Sequence, residues 1–291
     1  MSHTYDTKNT GCPIGCRYCV ITKVNCRRQL WNKKTLLGLN KAVTILNAPP
    51  DLEDKQAVKD FYDFPLHLLR GDIVGFNAIS DPFWPKYRKQ LDYFLDNVSK
   101  IAKLVVCVTK FNISDEMMQR LSKIPNFRLN VSITGLDSIE NTKTKDRLET
   151  FAKAKKYGVK AFPIIHPYIA GMSDLSFLAE LKKMGYDYVD VKGLRYNHET
   201  MKNWMPEESQ KYYIGTNEEE ILPEDGWREK IQQAGMVLKV LKDWYQEGQE
   251  LVPKITEEEA KADAEKILQL ANITSSDTDE AVIKALIKRK M

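Results

Sequence analysis

The sequence predicts an α/β fold, a partial (β/α)6 parallel barrel followed by a helical extension. Three observations carry that expectation. Short β-branched apolar runs alternate with longer amphipathic stretches, the pattern of successive βαβ units on a parallel sheet. Glycines close two of the amphipathic stretches, as helix C-termini favour. The alternation stops near Tyr196, and the chain turns helical and charge-rich. Right-handed crossovers would curl about six such units into a partial or complete barrel.

Taken in order, "SHTYDTKN" (2–9) reads as a short first strand. The strands that follow are "DIVGFNAIS" (72–80), "KLVVCVTK" (103–110), "FRLNVSIT" (127–134), "VKAFPIIHP" (159–167) and "YDYVDVKGL" (186–194), each apolar, β-branched and bounded by turn residues. Helical periodicity falls at 86–102, 114–124, 144–158 and 174–185, with Ser114 and Asp174 as N-caps and Gly158 and Gly185 at the C-termini. Residues 1–198 form the expected core. The expected extension, 199–291, carries "KIQQAGMVLKVLKDWYQEG", "TEEEAKADAEKILQLA" and "TDEAVIKALIKRKM" and shows no strand signal.

Composition narrows the function classes. With 291 residues and 43% hydrophobic content the chain can bury a sizeable core. The net charge of +4, from 44 basic and 40 acidic residues, is too mild to declare a nucleic-acid binder. No stretch approaches the roughly 18 apolar residues of a membrane helix, and the first residues lack a basic segment followed by an apolar run, so a cytoplasmic protein without a membrane partner is expected. Five cysteines, three of them clustered, fit a reducing compartment and metal or cluster ligation better than a disulfide framework.

The cluster is "GCPIGCRYC". Cys12, Cys16 and Cys19 form C-x3-C-x2-C, with Gly11, Pro13 and Gly15 giving a tight loop. Three thiolates leave a four-coordinate structural zinc site one ligand short. A 4Fe-4S cluster held by three cysteines instead keeps one iron open to a substrate or cofactor. Cys26 as a fourth ligand would make a zinc knuckle or a closed electron-transfer cluster, in a protein that is no enzyme and interacts through its helices. Cys107, inside "LVVCVTK", reads as a small buried hydrophobe, with a catalytic thiol as the competing reading.

The cysteine spacing, Tyr18 before the third cysteine and the place after a first strand resemble the radical S-adenosylmethionine superfamily over residues 4–197. The resemblance implies a 4Fe-4S cluster whose open iron is chelated by S-adenosyl-L-methionine, and polar residues at strand C-termini that hold that cofactor. "SDPFWP" departs from the superfamily's glycine-rich segment and is similar to the branch that includes spore photoproduct lyase, as are "VTK" and "VSITGLD". Ser80, Asp81, Ser132, Thr134 and Tyr18 thereby become candidate cofactor contacts. Arg147 matches an arginine that pairs with the cofactor carboxylate; a solvated helix arginine is the alternative. "PIIHPYIAGMSD" resembles the segment along the adenine, with His166 read as structural. Lys192, Arg195, Tyr196 and Asn197 would project into the barrel mouth.

What the resemblance implies chemically is one-electron reduction of the cluster by an external electron donor, cleavage of the cofactor and hydrogen abstraction from a substrate by a 5′-deoxyadenosyl radical. Two substrates fit. One is a peptide matured into a natural product, backbone excision being one such maturation, with a small leader-binding partner protein. The other is a nucleic acid, for which Arg17, Lys23, Arg27, Arg28, Lys33 and Lys34, interleaved with Tyr18 and Trp31, would supply charge and stacking; a solvated loop and helix face explains the same run. The absence of an evident C-terminal basic hairpin favours the peptide.

Overall fold

The computed structural model describes residues 3–7, 12–19, 43–48, 62–63, 65–76, 80–195, 201–214, 220–247, 255–270 and 287. Cys26, Tyr196, Asn197, the basic run from Lys23 to Lys34 and nearly all of "TDEAVIKALIKRKM" lie outside the described residues. The strands are β1 (His3–Thr7), β2 (Val43–Ala48), β3 (Ile73–Phe76), β4 (Leu104–Thr109), β5 (Phe127–Ser132), β6 (Ala161–Ile165), β7 (Tyr188–Val191) and β8 (Val237–Leu238). The principal helices are α1 (Arg88–Asn97), α2 (Asp115–Leu121), α3 (Thr144–Tyr157), α4 (Phe177–Lys183), α5 (Glu207–Gln210), α6 (Trp227–Gln233), α7 (Leu241–Gln246) and α8 (Glu257–Leu270). No described helix is long and apolar enough to cross a membrane.

The chain divides into two compact units, and neither follows chain order. The first comprises Met1–Gly11, Cys26–Cys107 and Gly248–Met291. Its strands pair in the order β2-β1-β3-β4, all parallel. Leu91, Phe94 and Leu95 of α1 are buried, and the Phe94 ring lies 5.2 Å from that of Phe76 on β3. Arg70, just before β3, bonds Glu259 and Asp263 of α8, each at 3.1 Å.

The second unit comprises Cys12–Asn25 and Val108–Glu247. Its strands pair in the order β5-β6-β7-β8, again all parallel. The helices between them start and stop where local chemistry directs. Ser114 caps α2 by accepting from Met117 N at 3.2 Å, and Gly158 ends α3 at φ 73°, a conformation most side chains resist. Parallel strands alternating with helices, in open rather than closed runs, are what the sequence predicts at the level of an α/β fold.

Three elements differ from expectation. Asp174 is not the N-cap of α4: the helix begins at Phe177, and the Asp174 carboxylate accepts from the backbone and hydroxyl of Ser176 in the turn before it. Strand β2 arises from "VTILNA", a β-branched apolar run that the sequence reading passed over. Strand β8 lies in a region with no strand signal. Only two residues long, it exists because Val237 N donates to Asp187 O and Lys239 N to Val189 O, so β7 supplies the template.

Candidate functional site

The cysteine loop belongs to the second unit, and backbone hydrogen bonds fasten it there. Arg17 N donates to Ile139 O at 3.2 Å, and Asn141 N donates to Ile14 O at 3.2 Å. Between these two bonds stands Glu140. Gly15 adopts φ 62°, and a Cβ there would sit 2.6 Å from Asn141 Nδ2, so glycine is what lets the loop approach so closely. Cys12 and Cys19 are partly exposed, Cys16 is buried, and none is in a disulfide.

Glu140 gathers the polar groups around it. Its Oε1 accepts from the Tyr18 hydroxyl, from Lys110 Nζ at 3.0 Å and from Thr134 Oγ1 at 2.9 Å. Its Oε2 accepts from Arg147 NH2, which also donates to Thr142 O and Thr142 Oγ1 at 3.1 and 2.8 Å. Lys110 Nζ donates further to Ser132 Oγ at 2.8 Å. The side chains of Glu140 and Arg147 are both 0% exposed, and that of Lys110 is 14% exposed.

Each partner is placed by its own element. Lys110 follows the last residue of β4, Ser132 ends β5, and Thr134 lies just beyond it. Arg147 sits in the first turn of α3, whose start is fixed by Lys143 N donating to Asp146 Oδ2 and Thr144 N donating to Asp137 Oδ1. Tyr18 packs against a buried cluster that includes Leu136, Ile139 and Trp204, its ring edge-on to Trp204 at 6.4 Å.

The electrostatics follow from burial and this pairing. Burial alone would raise the Glu140 carboxyl, but Lys110 and Arg147, with the bond from Tyr18, outweigh it and hold the group below its ordinary value. Burial lowers Lys110 despite Glu140, and burial with the Glu140 charge keeps the Tyr18 phenol well above its usual range as a protonated donor. The Cys16 thiol is pushed up to about 11, mainly by burial and against the pull of Lys110. Without a compensating cation it stays a thiol.

No protein-family model matches the chain, and no curated protein matches it either.

Of the candidate residues, Cys12, Cys16, Cys19, Tyr18, Ser132, Thr134 and Arg147 all fall in the second unit, and the last four share the network around Glu140. Ser80 and Asp81 fall in the first unit. There Asp81 is buried and its side chain accepts from Phe83 N at 3.0 Å, shaping the "DPFW" turn. Cys107 is also in the first unit, fully buried on β4, with its thiol raised by burial and by Asp81. Arg147 is no solvated helix residue: Glu140, Thr134 and Thr142 enclose its guanidinium.

Two positions of this network escape the sequence reading. Lys110 carries a signal, a lysine directly after an apolar strand. Glu140 carries none, because "GLDSIENT" has two acidic residues in a loop and only the fold buries one of them. Three thiols on one turn are the residues that could hold a metal. Among the described residues, no three His, Cys, Asp or Glu side chains converge closely enough for a single ion.

Proposed function

We propose that this protein is a radical S-adenosylmethionine enzyme that acts on a peptide. The observation that carries the reading is the C-x3-C-x2-C loop, held by backbone bonds at Ile139 and Asn141 beside the C-terminal end of β5. In open parallel sheets and barrels, ligands bind at the C-terminal ends of the strands.

The donor set fits a 4Fe-4S cluster. Three cysteines closely spaced on one loop suit a cluster whose irons are ligated separately, and they leave a four-coordinate zinc one ligand short. Cys12, Cys16 and Cys19 would hold the cluster. When bound, the cluster and S-adenosylmethionine would supply a carbon-centred radical for hydrogen abstraction.

The chain's own residues then have definable tasks. Glu140 pairs with both neighbouring cations, Lys110 at one carboxylate oxygen and Arg147 at the other. Arg147 is fully enclosed and Lys110 only partly so, and both donate to Glu140. Ser132 orients Lys110 by accepting one of its three protons. Tyr18 fastens the loop to Glu140.

The reading is tested by anaerobic reconstitution with iron and sulfide, followed by reduction with dithionite in the presence of S-adenosylmethionine. Release of 5′-deoxyadenosine and about four irons per chain are expected. Zinc in the protein as purified, or iron uptake unchanged when all three cysteines are replaced, would overturn it.

A further inference from the structure

The backbone ladder continues past the ends of β6 and β7. Lys192 N donates to Ile165 O at 2.9 Å and Tyr168 N donates to Lys192 O at 2.8 Å, so that Lys192 stands opposite the His166–Pro167 pair, one step beyond the Ile165–Val191 register. Among the described residues only the backbone carbonyl of His166 is engaged, by Lys110 and Ser132; its imidazole makes no hydrogen bond. Burial first, then the charges of Lys110, Lys192 and Arg195, lower that imidazole from 6.5 to about 3, so it is neutral near pH 7.

We propose that His166 and Lys192 bind a single carboxylate of an acidic peptide substrate. The proposal rests on the reading above for the place of the site, and it adds the chemistry of the substrate. The half-buried neutral imidazole has no acceptor for its N–H among the described residues, and the Lys192 ammonium, 3.9 Å from Asp190, has room for a second anionic partner. An oxyanion supplies both at once.

The neighbours decide which oxyanion. Lys192 Nζ is 3.9 Å from Asp190 Oδ2, a loose pair whose carboxylate already accepts from Leu241 N at 3.2 Å. Arg195 Nε bonds Glu220 at 3.1 Å. A phosphate backbone needs a run of uncompensated cations, and Asp190 and Glu220 would repel it. One carboxylate meets only the open side of Lys192 and the imidazole.

The test uses the full chain without cluster or S-adenosylmethionine, so it succeeds or fails independently of the radical chemistry. The imidazole resonance of His166 is identified by its loss in His166→Gln and followed by NMR during titration with acetyl-Gly-Asp-Gly-amide. A saturable shift is expected, with binding roughly tenfold or more weaker for the Asn counterpart peptide and for Lys192→Met, as loss of a charge-assisted bond implies. Equal binding of the Asp and Asn peptides, or no effect of Lys192→Met, overturns the proposal. A larger shift with a short oligothymidylate at equal concentration overturns it in favour of a nucleic-acid substrate.

Discussion

Glu140 and Arg147 form an ion pair in which neither side chain reaches solvent. Arg147, the residue expected to meet a cofactor carboxylate, here pairs with a carboxylate of its own chain seven residues earlier. A buried pair of this kind adds little net stability over an apolar substitute, yet breaking it leaves an uncompensated charge.

Glu140→Gln should therefore destabilise the protein by about 3–5 kcal/mol, because Arg147 and Lys110 both lose their counter-charge while the shape is kept. Urea denaturation measures this. The double variant Glu140→Gln, Arg147→Met should cost clearly less than the sum of the two single changes. Additive costs would show that the pair is not coupled.

Tyr18→Phe keeps the ring against Trp204 and removes only the hydroxyl that donates to Glu140. A hydrogen bond to a charged group contributes about 1.5–3 kcal/mol, so local opening of the cysteine loop should become roughly ten- to a hundredfold more frequent. The rate at which iodoacetamide alkylates Cys16 in the metal-free protein reads this directly. An unchanged rate means the hydroxyl does not fasten the loop.

Single alanine replacements of Cys12, Cys16 and Cys19 should each abolish reconstitution of iron, while Cys107→Ala should retain it. Cys107 is fully buried in the first unit, and its raised thiol makes it a packing residue. Iron content and visible absorbance distinguish the outcomes; iron lost on Cys107→Ala would contradict the assignment.

Gly135→Ala should be far more damaging than Gly158→Ala, although both glycines have positive φ. A Cβ on Gly135 would lie 1.9 Å from Asp174 O, whereas one on Gly158 meets nothing within 4 Å. Gly158→Ala should cost about 1–2 kcal/mol from backbone strain alone. Gly135→Ala must also move the Asp174 backbone, and its thermal midpoint should fall well below that of Gly158→Ala.

Stability should fall in acid with a contribution from His166. Its imidazole is neutral in the folded chain down to about pH 3, whereas the ordinary value is 6.5. Between those limits the unfolded chain binds the extra proton, so the contribution is complete above pH 6.5 and is lost progressively as pH falls toward 3. The slope is at most about 1.4 kcal/mol per pH unit for one proton. Replacing His166 by Gln should flatten the stability profile in that window, and an identical slope would refute a neutral imidazole in the folded chain.

The alternation of apolar strands and amphipathic helices, the cysteine loop, the cap at Ser114 and the terminating Gly158 were legible in the sequence, because each depends on residues close together in the chain. Strand β8 was not, since its pairing with β7 is supplied by residues some fifty positions away. Ser132 and Thr134 could be named as polar groups near a strand end, and Arg147 as an arginine of the following helix, but their partners could not.

By itself the sequence determined the α/β alternation and the spacing of three thiols, both set by local periodicity and composition. The tertiary structure alone decided that Glu140 is buried while Asp137 stays exposed, that Arg147 is enclosed, and that the His166 ring, near Lys192, has no hydrogen-bond partner among the described residues. The physical reason is that the energy of a charge depends on what surrounds it. In this chain those surroundings are assembled from Tyr18, Lys110, Thr134 and Arg147, which only folding brings together.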